Sequence, residues 1–227
     1  MNLAITQQQE INKKEIIKMN ITCLTNSELI QKYLEQKDNF SDMEAVANAS
    51  SLLNRELYLG GVSDEMSSGI EALIRFWNRQ DDQDGLDPED RVPIKIYIDS
   101  WGGEMVACYT IINAIELSRT PVWTINIGAA YSAGFFIYIA GHVRYAYRLS
   151  SFLYHEGETQ MGGDAHKFRN RADFYKKQLE QLKEHVLKYT KLTEADYDKI
   201  LKDDYWLTAE EAMEKGIVDK IMTEMIL

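Results

Sequence analysis

Apolar runs rich in β-branched residues alternate with helical stretches through the middle of the chain, and this alternation limits the fold more than any other feature. Ile94–Ile98 (IKIYI) precedes an amphipathic stretch over 104–117, and Val122–Ile127 precedes a second helical run that begins near 133. Strands joined by helices pair in parallel through right-handed crossovers. The sequence therefore predicts an α/β fold built from repeated βαβ units.

The same reasoning predicts the remaining elements. Apolar positions at three- and four-residue spacing indicate helices, and short aromatic or β-branched runs indicate strands. The predictions are strands at Glu56–Leu59, Val143–Tyr147, Phe152–His155 and Ile217–Ile221, and helices at Ser63–Arg79, Thr193–Leu201 and from an N-cap at Thr208 to Gly216.

An acidic run, Asp81–Asp90, has six acids in ten residues and also contains Gly85 and Pro88. A calcium loop would need an acid five residues before that glycine and a closing glutamate at the required offset, and both are missing. The run is therefore interpreted as a solvated insertion loop.

A long helix is predicted from about Asp164 to Thr190. At 1.5 Å per residue it would span about 35–40 Å, more than the body of a small domain needs. Its apolar residues follow a heptad spacing, which favours a helix that projects and packs against another subunit. The stripe consists of Phe168, Ala172, Tyr175, Leu179, Leu182, Val186 and Tyr189.

Composition excludes several classes of protein. The net charge of −11 argues against non-specific nucleic-acid binding and against a basic membrane-binding surface. Cys23 and Cys108 are far apart and match no metal-ligand spacing. With no apolar run of membrane-spanning length, the expectation is a cytoplasmic, reduced protein. Residues 1–50 are polar, with helices predicted at 26–36 and 42–53, and are interpreted as an N-terminal extension or arm.

The stretch Gly128–Gly134 places a serine between a predicted strand and a predicted helix. A strand that breaks at small residues and restarts as a helix exposes a hydroxyl near the positive helix end. The next backbone N–H can then receive an oxyanion. Ser132 is thus a candidate nucleophile, and a serine that only caps a buried helix is the alternative.

Among the four histidines, His155 is the best candidate for the general base. It ends a strand predicted to lie beside the strand that leads to Ser132, so both side chains can emerge at one sheet edge. His142 is separated from the serine by the length of a helix. His166 and His185 are predicted on the solvated side of the long helix.

Asp203 and Asp204 are the candidates for the carboxylate that orients the histidine. Both precede the predicted cap at Thr208 in an aromatic and apolar setting, whereas most other acids lie on charged surfaces. The residues alone leave the choice between the two open.

From about Leu52 to Ile221 the chain resembles the proteolytic subunit of the Clp protease, the ClpP family of serine peptidases. The family pattern Gly-x-Ala-Ala-Ser-x-Gly-Ala reads here as GAAYSAGF from Gly128. Three further family patterns are matched in the same order along the chain. They are the Ser-Pro-Gly-Gly turn at Ile98–Gly103, the His-Gln-Pro segment at His155–Gly157, and the Asp-led segment at Asp204–Ala212 with Gly216–Asp219 after it.

The resemblance implies a role for five residues. Ser132 would be the nucleophile, His155 the general base and then acid, and Asp204 the group that orients His155. The backbone N–H groups of Gly103 and Ala133 would form the oxyanion hole.

The resemblance also implies a crotonase-like fold over residues 51–227, with the long helix as a projecting handle. It implies a homo-oligomeric ring of seven subunits that can stack in pairs, fed with unfolded polypeptides by an AAA+ unfoldase. No cofactor or metal is expected in this chain, because ATP would be used only by the unfoldase.

Three departures from the family pattern lie close to these residues. Trp101 replaces the proline of the glycine turn and Tyr131 replaces the alanine before the serine, so both are expected to crowd the mouth of the site. Asp203 stands where the family often has an arginine that links the rings. The alternatives are therefore a catalytically silent ring subunit and an acyl-CoA enzyme of the crotonase fold.

Overall fold

The computed structural model describes residues 50–155, 157, 164–200 and 203–225. The chain divides into two compact units, Met1–Asn54 and Arg55–Leu227, and the fold below is that of the second. The predicted arm and its helix at 26–36 lie outside the described residues. Of the helix predicted over 42–53, residues 50–53 are described and are helical.

Strands and helices alternate along the second unit, as predicted. In chain order they are β1 (Glu56–Leu59), α1 (Asp64–Gln83), a 3-10 turn (Pro88–Asp90), β2 (Ile94–Ser100), α2 (Met105–Glu116), β3 (Val122–Tyr131), α3 (Ala133–Ile139), β4 (Val143–Ala146), β5 (Ser151–Tyr154), α4 (Ala165–Tyr189), α5 (Glu194–Ile200), β6 (Tyr205–Thr208), α6 (Ala209–Glu214) and β7 (Lys220–Ile221).

The seven described strands form one sheet in the order β1-β2-β3-β4-β7, with β5 paired to β3 and β6 paired to β5. Every pair is parallel except β5–β6. This mostly parallel sheet with helices joining its strands confirms the predicted α/β fold.

Strand β3 is longer than predicted, and the added residues organise the site. Its first half, Trp123–Asn126, pairs with β4, and its last residues, Ala129–Tyr131, pair with β5. One strand thus has two neighbours in succession on the same side. The second pairing places the end of β5 beside the residue that follows β3.

Helix α3 lies at the centre of the core. All seven of its residues are buried, because it contacts β2, β3 and β5 as well as α2 and α4. Full burial of a side chain such as Phe135 stabilises the fold by about 1.5–3 kcal/mol. The start of this helix is therefore held firmly in place.

The interpretation of Asp81–Asp90 as a solvated loop is wrong at its first residues. Helix α1 continues to Gln83, and the Asp81 side chain is fully buried against Arg55 in a bidentate ion pair. Residues 84–90 are exposed, as expected of a loop. Among the described residues, no group of three or more His, Cys, Asp or Glu side chains could hold a metal ion.

The long helix forms, but its apolar stripe is not buried along its whole length within one chain. Leu182 and Val186 are its buried residues, whereas Phe168 near the other end is exposed. His166 is exposed, as predicted. The prediction for His185 is wrong: its side chain is only 9% exposed and its Nε2 lies 3.0 Å from the carbonyl oxygen of Phe136.

Two smaller predictions also differ from the structure. No strand was predicted at Tyr205–Thr208, which forms β6, and the final strand is shorter than predicted. Thr208 caps α6 with a capping box, as its sequence suggests. No helix in the described part of the chain has both the length and the apolar composition to cross a membrane.

Candidate active site

Ser132 stands at a strained turn between β3 and α3. Its φ of 54° and ψ of −122° fall in a region that non-glycine residues rarely adopt, at a cost of about 1–3 kcal/mol. The turn is held from outside, because the Ser132 N–H donates a 2.9 Å hydrogen bond to the Leu153 carbonyl of β5. The surrounding sheet thus keeps the serine in a conformation that it would otherwise avoid.

Two glycines let the turn approach the end of β2. Gly102 has a φ of 99°, and a Cβ atom there would lie 2.7 Å from the Cβ of Ser132. A Cβ atom on Gly134 would lie 2.8 Å from the Cβ of Ser100. Both positions require glycine because the backbone is too close to its neighbour for any side chain.

Among the described residues, the two backbone N–H groups expected to form an oxyanion hole, those of Gly103 and Ala133, have no backbone acceptor. Gly103 pairs with Val62 in an isolated bridge, in which Val62 N–H donates to the Gly102 carbonyl and Glu104 N–H to the Val62 carbonyl. The Gly103 N–H therefore faces the opposite side. Ala133 is the first residue of α3, where helical N–H groups have no partner in the helix. In the described part of the chain, neither N–H donates to a backbone acceptor.

A cleft of about 600 Å³ brings four of the five predicted site residues together. Gly103, Ser132, Ala133 and His155 all line it. The other lining residues are Glu104, Met105, Val106, Cys108, Phe136, Gly157, Tyr175, Gln178 and Leu182. Acyl transfer needs a nucleophile, a base and donors for an oxyanion. The residues that line this cleft include candidates for all of these groups.

Asp204, the fifth predicted residue, lies behind the histidine. Register pairs Tyr154 of β5 with Tyr205 of β6, so the residues just outside this pair, His155 and Asp204, are also neighbours. The His155 Nδ1 lies 4.0 Å from the Asp204 Oδ1, and the two side chains are 29% and 53% exposed. Asp203 has a different partner, because its Oδ1 accepts the Asp204 N–H at 2.9 Å.

The expectation that Trp101 and Tyr131 crowd the mouth of the site is wrong. Neither residue is among those that line the cleft. Their rings instead contact each other and Trp206, with centroid distances of 5.3 Å and 5.1 Å. Tyr131 pairs through Leu153 with Trp206, and side chains alternate along a strand, so Tyr131 lies on the face of the sheet opposite to the buried Ala130.

Sequence reasoning missed the contribution of α4 to the cleft. Tyr175 and Leu182 were assigned to a seam for another subunit, and Gln178 was not considered, yet all three line the cleft. Tyr109 of α2 helps to fix this part of α4, since its hydroxyl donates to the Gln178 carbonyl at 3.2 Å. No local pattern could indicate this, because it depends on how α4 crosses α3.

Cys108 lies under the start of α3. Its thiol donates to the Ala133 carbonyl at 3.4 Å, and burial raises its pKa well above the usual range. A neutral, buried thiol in this position is a packing group rather than a second nucleophile.

The fold and the site together define an α/β protein in which a strand–turn–helix presents a serine to a cleft beside a histidine. A comparison with protein families finds a match to the Clp protease family over residues 44–225. The chain belongs to this family of peptidases.

Named relatives agree with this assignment. The chain is 33% identical over 135 residues to the ATP-dependent Clp protease proteolytic subunit 2 of Treponema pallidum (strain Nichols), covering 57% of this chain and 66% of the relative. It is 31% identical over 177 residues to the subunit 2 of Prochlorococcus marinus (strain NATL2A), covering 74% and 82%. It is 30% identical over 179 residues to the subunit 3 of Parasynechococcus marenigrum (strain WH8102), covering 75% and 84%.

Proposed function

We propose that this chain is a serine endopeptidase of the Clp type that hydrolyses unfolded polypeptides with Ser132, His155 and Asp204. The observation that most supports this is the strained turn at Ser132, which opens on the same cleft as His155 and the backbone of Gly103. A buried helix cap would not need a strained conformation or a cleft in front of it.

In the proposed reaction, the Ser132 Oγ attacks the carbonyl carbon of the scissile peptide while His155 accepts the hydroxyl proton. The carbonyl oxygen becomes an oxyanion, which the N–H groups of Gly103 and Ala133 stabilise. The C–N bond then breaks and His155 gives its proton to the leaving amine. Water repeats the sequence on the ester, releasing the acid and regenerating Ser132.

Asp204 has the role of orienting His155 and stabilising the imidazolium that forms at each proton transfer. Its proximity to the Nδ1 atom, the nitrogen remote from the one that would face the serine, supports this role. Asp203 is engaged with the backbone and is not assigned a part in the reaction.

We further propose that the subunits form a heptameric ring, stacked in pairs, that receives substrates from an AAA+ unfoldase in the cytoplasm. The exposed end of α4, with Phe168 and Phe174 at 48% and 61% exposure, supports contact with another subunit. The names of the relatives, which describe ATP-dependent proteolytic subunits, support an ATPase partner.

A fluorophosphonate probe tests the assignment of the nucleophile. The wild type should be labelled at Ser132 and should hydrolyse a fluorogenic peptide, whereas Ser132→Ala should do neither. Ser67→Ala, which alters a buried serine on α1 that does not line the cleft, is the matched control for labelling. Labelling of Ser132→Ala equal to that of the wild type would overturn the assignment, and an inactive, unlabelled wild-type ring would favour the silent subunit.

Mass photometry tests the assembly. A ring should appear as a mass of seven chains or a multiple of seven, and a chain that stays monomeric under conditions of peptide hydrolysis would contradict it. Degradation of an unfolded protein only when an AAA+ unfoldase and ATP are added would support the proposed partner.

A further inference from the structure

Three aromatic side chains form a row beside the candidate site, which we call the aromatic row: Trp101, Tyr131 and Trp206. Trp101 and Tyr131 meet edge to face with ring centroids 5.3 Å apart and planes at 79°. Tyr131 and Trp206 meet in the same way at 5.1 Å and 80°. Tyr131 is thus the central ring and contacts both tryptophans.

Each ring belongs to a different segment of the candidate site. Trp101 precedes Gly102 and Gly103 in the turn after β2, Tyr131 directly precedes Ser132, and Trp206 follows Asp204 by two residues in β6. The row therefore connects the segments of the oxyanion donor, the nucleophile and the carboxylate, which are far apart in sequence.

Strand register shows that two members of the row, Tyr131 and Trp206, lie on one face of the sheet. Tyr131 pairs with Leu153, and Leu153 pairs with Trp206, so these side chains share a face. The residues one position away along the three strands, Ala130, Phe152 and Leu207, pair with one another and are buried in the core.

The central ring is also held by a polar contact. The Tyr131 hydroxyl lies 2.6 Å from the Ser151 Oγ at the start of β5, the strand that leads to His155. Tyr131 therefore has a fixed orientation, and the fourth segment of the site is joined to the row through it.

Burial of apolar surface does not explain the position of Trp101. This side chain is 80% exposed, so the fold gains little by removing it from water, whereas Trp206 is about half-buried, with 53% exposed. An edge-to-face pair stabilises its own geometry by an amount equivalent to a roughly two- to tenfold change in an equilibrium. That is enough to favour one arrangement of exposed segments.

We propose that the aromatic row is a positioning element of the active site, in which Trp206 fixes Asp204 behind His155 and Trp101 fixes the turn that holds Gly103. The proposal rests on the proposed peptidase function. The rings do not touch the substrate cleft and act only through the groups that they hold.

The test measures kcat and KM for a fluorogenic peptide and the rate of fluorophosphonate labelling, using the full chain in its assembled form. Trp206→Ala should lower kcat and the labelling rate about tenfold and leave KM within twofold, because transition-state geometry is lost and the cleft is intact. Trp206→Phe keeps an aromatic edge against Tyr131 and should recover most of the rate. Trp101→Ala should also lower kcat without a change in KM.

Phe76→Ala is the matched control, because Phe76 is a similarly exposed ring, at 57%, on α1 and outside the row. It should leave kcat unchanged. Labelling rates are taken as first-order constants, so they report on folded molecules even if a variant yields less folded protein.

The outcomes separate the two proposals. A wild type that is labelled and active, with Trp206→Ala equally active, overturns the positioning role alone. The positioning role is also overturned if Trp206→Ala changes only KM and leaves kcat intact. It is overturned as well if the rate of Trp206→Ala recovers when a higher protein concentration restores the assembly. A wild type that is neither labelled nor active overturns the proposed function and the positioning role with it.

Discussion

The Oδ1 atom of Asp204 lies 4.0 Å from the Nδ1 atom of His155, within reach of an ion pair and beyond that of a hydrogen bond. Hydrogen bonds between catalytic groups are often long in the absence of substrate and shorten in the reacting complex. The Asp204 carboxylate has room for this movement, because its side chain is 53% exposed.

The first prediction concerns this carboxylate. Asp204→Asn should lower kcat for peptide hydrolysis by at least about 10²-fold, because the histidine loses the charge that stabilises its protonated form. The fold should be unaffected, as the side chain is 53% exposed. Asp203→Asn is the matched control and should change kcat by less than about threefold. A larger loss in Asp203→Asn than in Asp204→Asn would reverse the assignment of the two acids.

A second prediction concerns the close approach of Gly102 to the nucleophile. Gly102→Ala should abolish most fluorophosphonate labelling, because the new Cβ would lie 2.7 Å from that of Ser132 at a backbone φ of 99°. The left-handed strain adds about 1–2 kcal/mol of destabilisation. Gly69→Ala is the control, since nothing lies within 4 Å of its Cβ position. Because Gly69 lies in the interior of α1, Gly69→Ala should raise the free energy of unfolding by about 1 kcal/mol. Equal labelling of Gly102→Ala and Gly69→Ala would contradict the steric argument.

The sequence predicted the fold, and the turn that contains Ser132, where the information is local. Strand–helix alternation predicted the parallel sheet, and the small residues around Ser132 predicted a turn at the end of β3. Where partners are distant in sequence, prediction failed. Asp81 is buried because Arg55 and Thr120 surround its carboxylate, and no pattern within the acidic run indicates a partner 26 residues away.

The other errors concern the face of a strand or helix on which a residue lies. Tyr131 was placed at the mouth of the site because it adjoins Ser132, but the two residues lie in different environments, one in the aromatic row and one in the cleft. His185 was placed in solvent from a helical pattern, although its ring packs against the carbonyl of Phe136. Both errors arise because a one-residue shift in register or a small rotation of a helix exchanges buried and exposed positions.

The third prediction concerns the buried ion pair at the end of α1. Asp81→Asn should lower the free energy of unfolding in urea by about 3–5 kcal/mol, because the mostly buried Arg55 loses its counter-charge. Burial alone would raise the pKa of Asp81, but hydrogen bonds from Arg55 and Thr120 hold that pKa below its usual value. The stabilisation is therefore present at neutral pH and above pH 4, and is lost as the pH falls through the lowered pKa.

Glu71→Gln is the control for the ion pair. Glu71 bonds Arg75 one helical turn away on the exposed surface of the same helix, and such pairs contribute little to stability. Its removal should leave the urea midpoint unchanged. Equal effects of the two substitutions would show that Asp81 is stabilising only as a helix residue and not as a buried partner of Arg55.

The fourth prediction is a pH dependence of stability from His142, which follows α3. The Val122 N–H donates a 2.9 Å hydrogen bond to its Nδ1 atom, which therefore must have no proton. Burial lowers the pKa of His142 below its usual 6.5. The unfolded chain then binds the proton more readily than the folded one, so stability is complete above about pH 6.5 and decreases as the pH falls below it.

Burial also lowers the pKa of His185, so the His142 contribution is measured as a difference between two proteins. In His142→Asn an amide oxygen can accept the Val122 N–H and has no proton to gain. Urea unfolding from pH 5 to pH 8 should show a shallower loss of stability at low pH in the variant, with a difference on the order of 1 kcal/mol, the value of one hydrogen bond. If the free energy of unfolding falls equally with pH in the wild type and the variant, protonation of His142 does not destabilise the fold. That result would contradict the prediction that His142 loses its bond to the Val122 N–H at low pH.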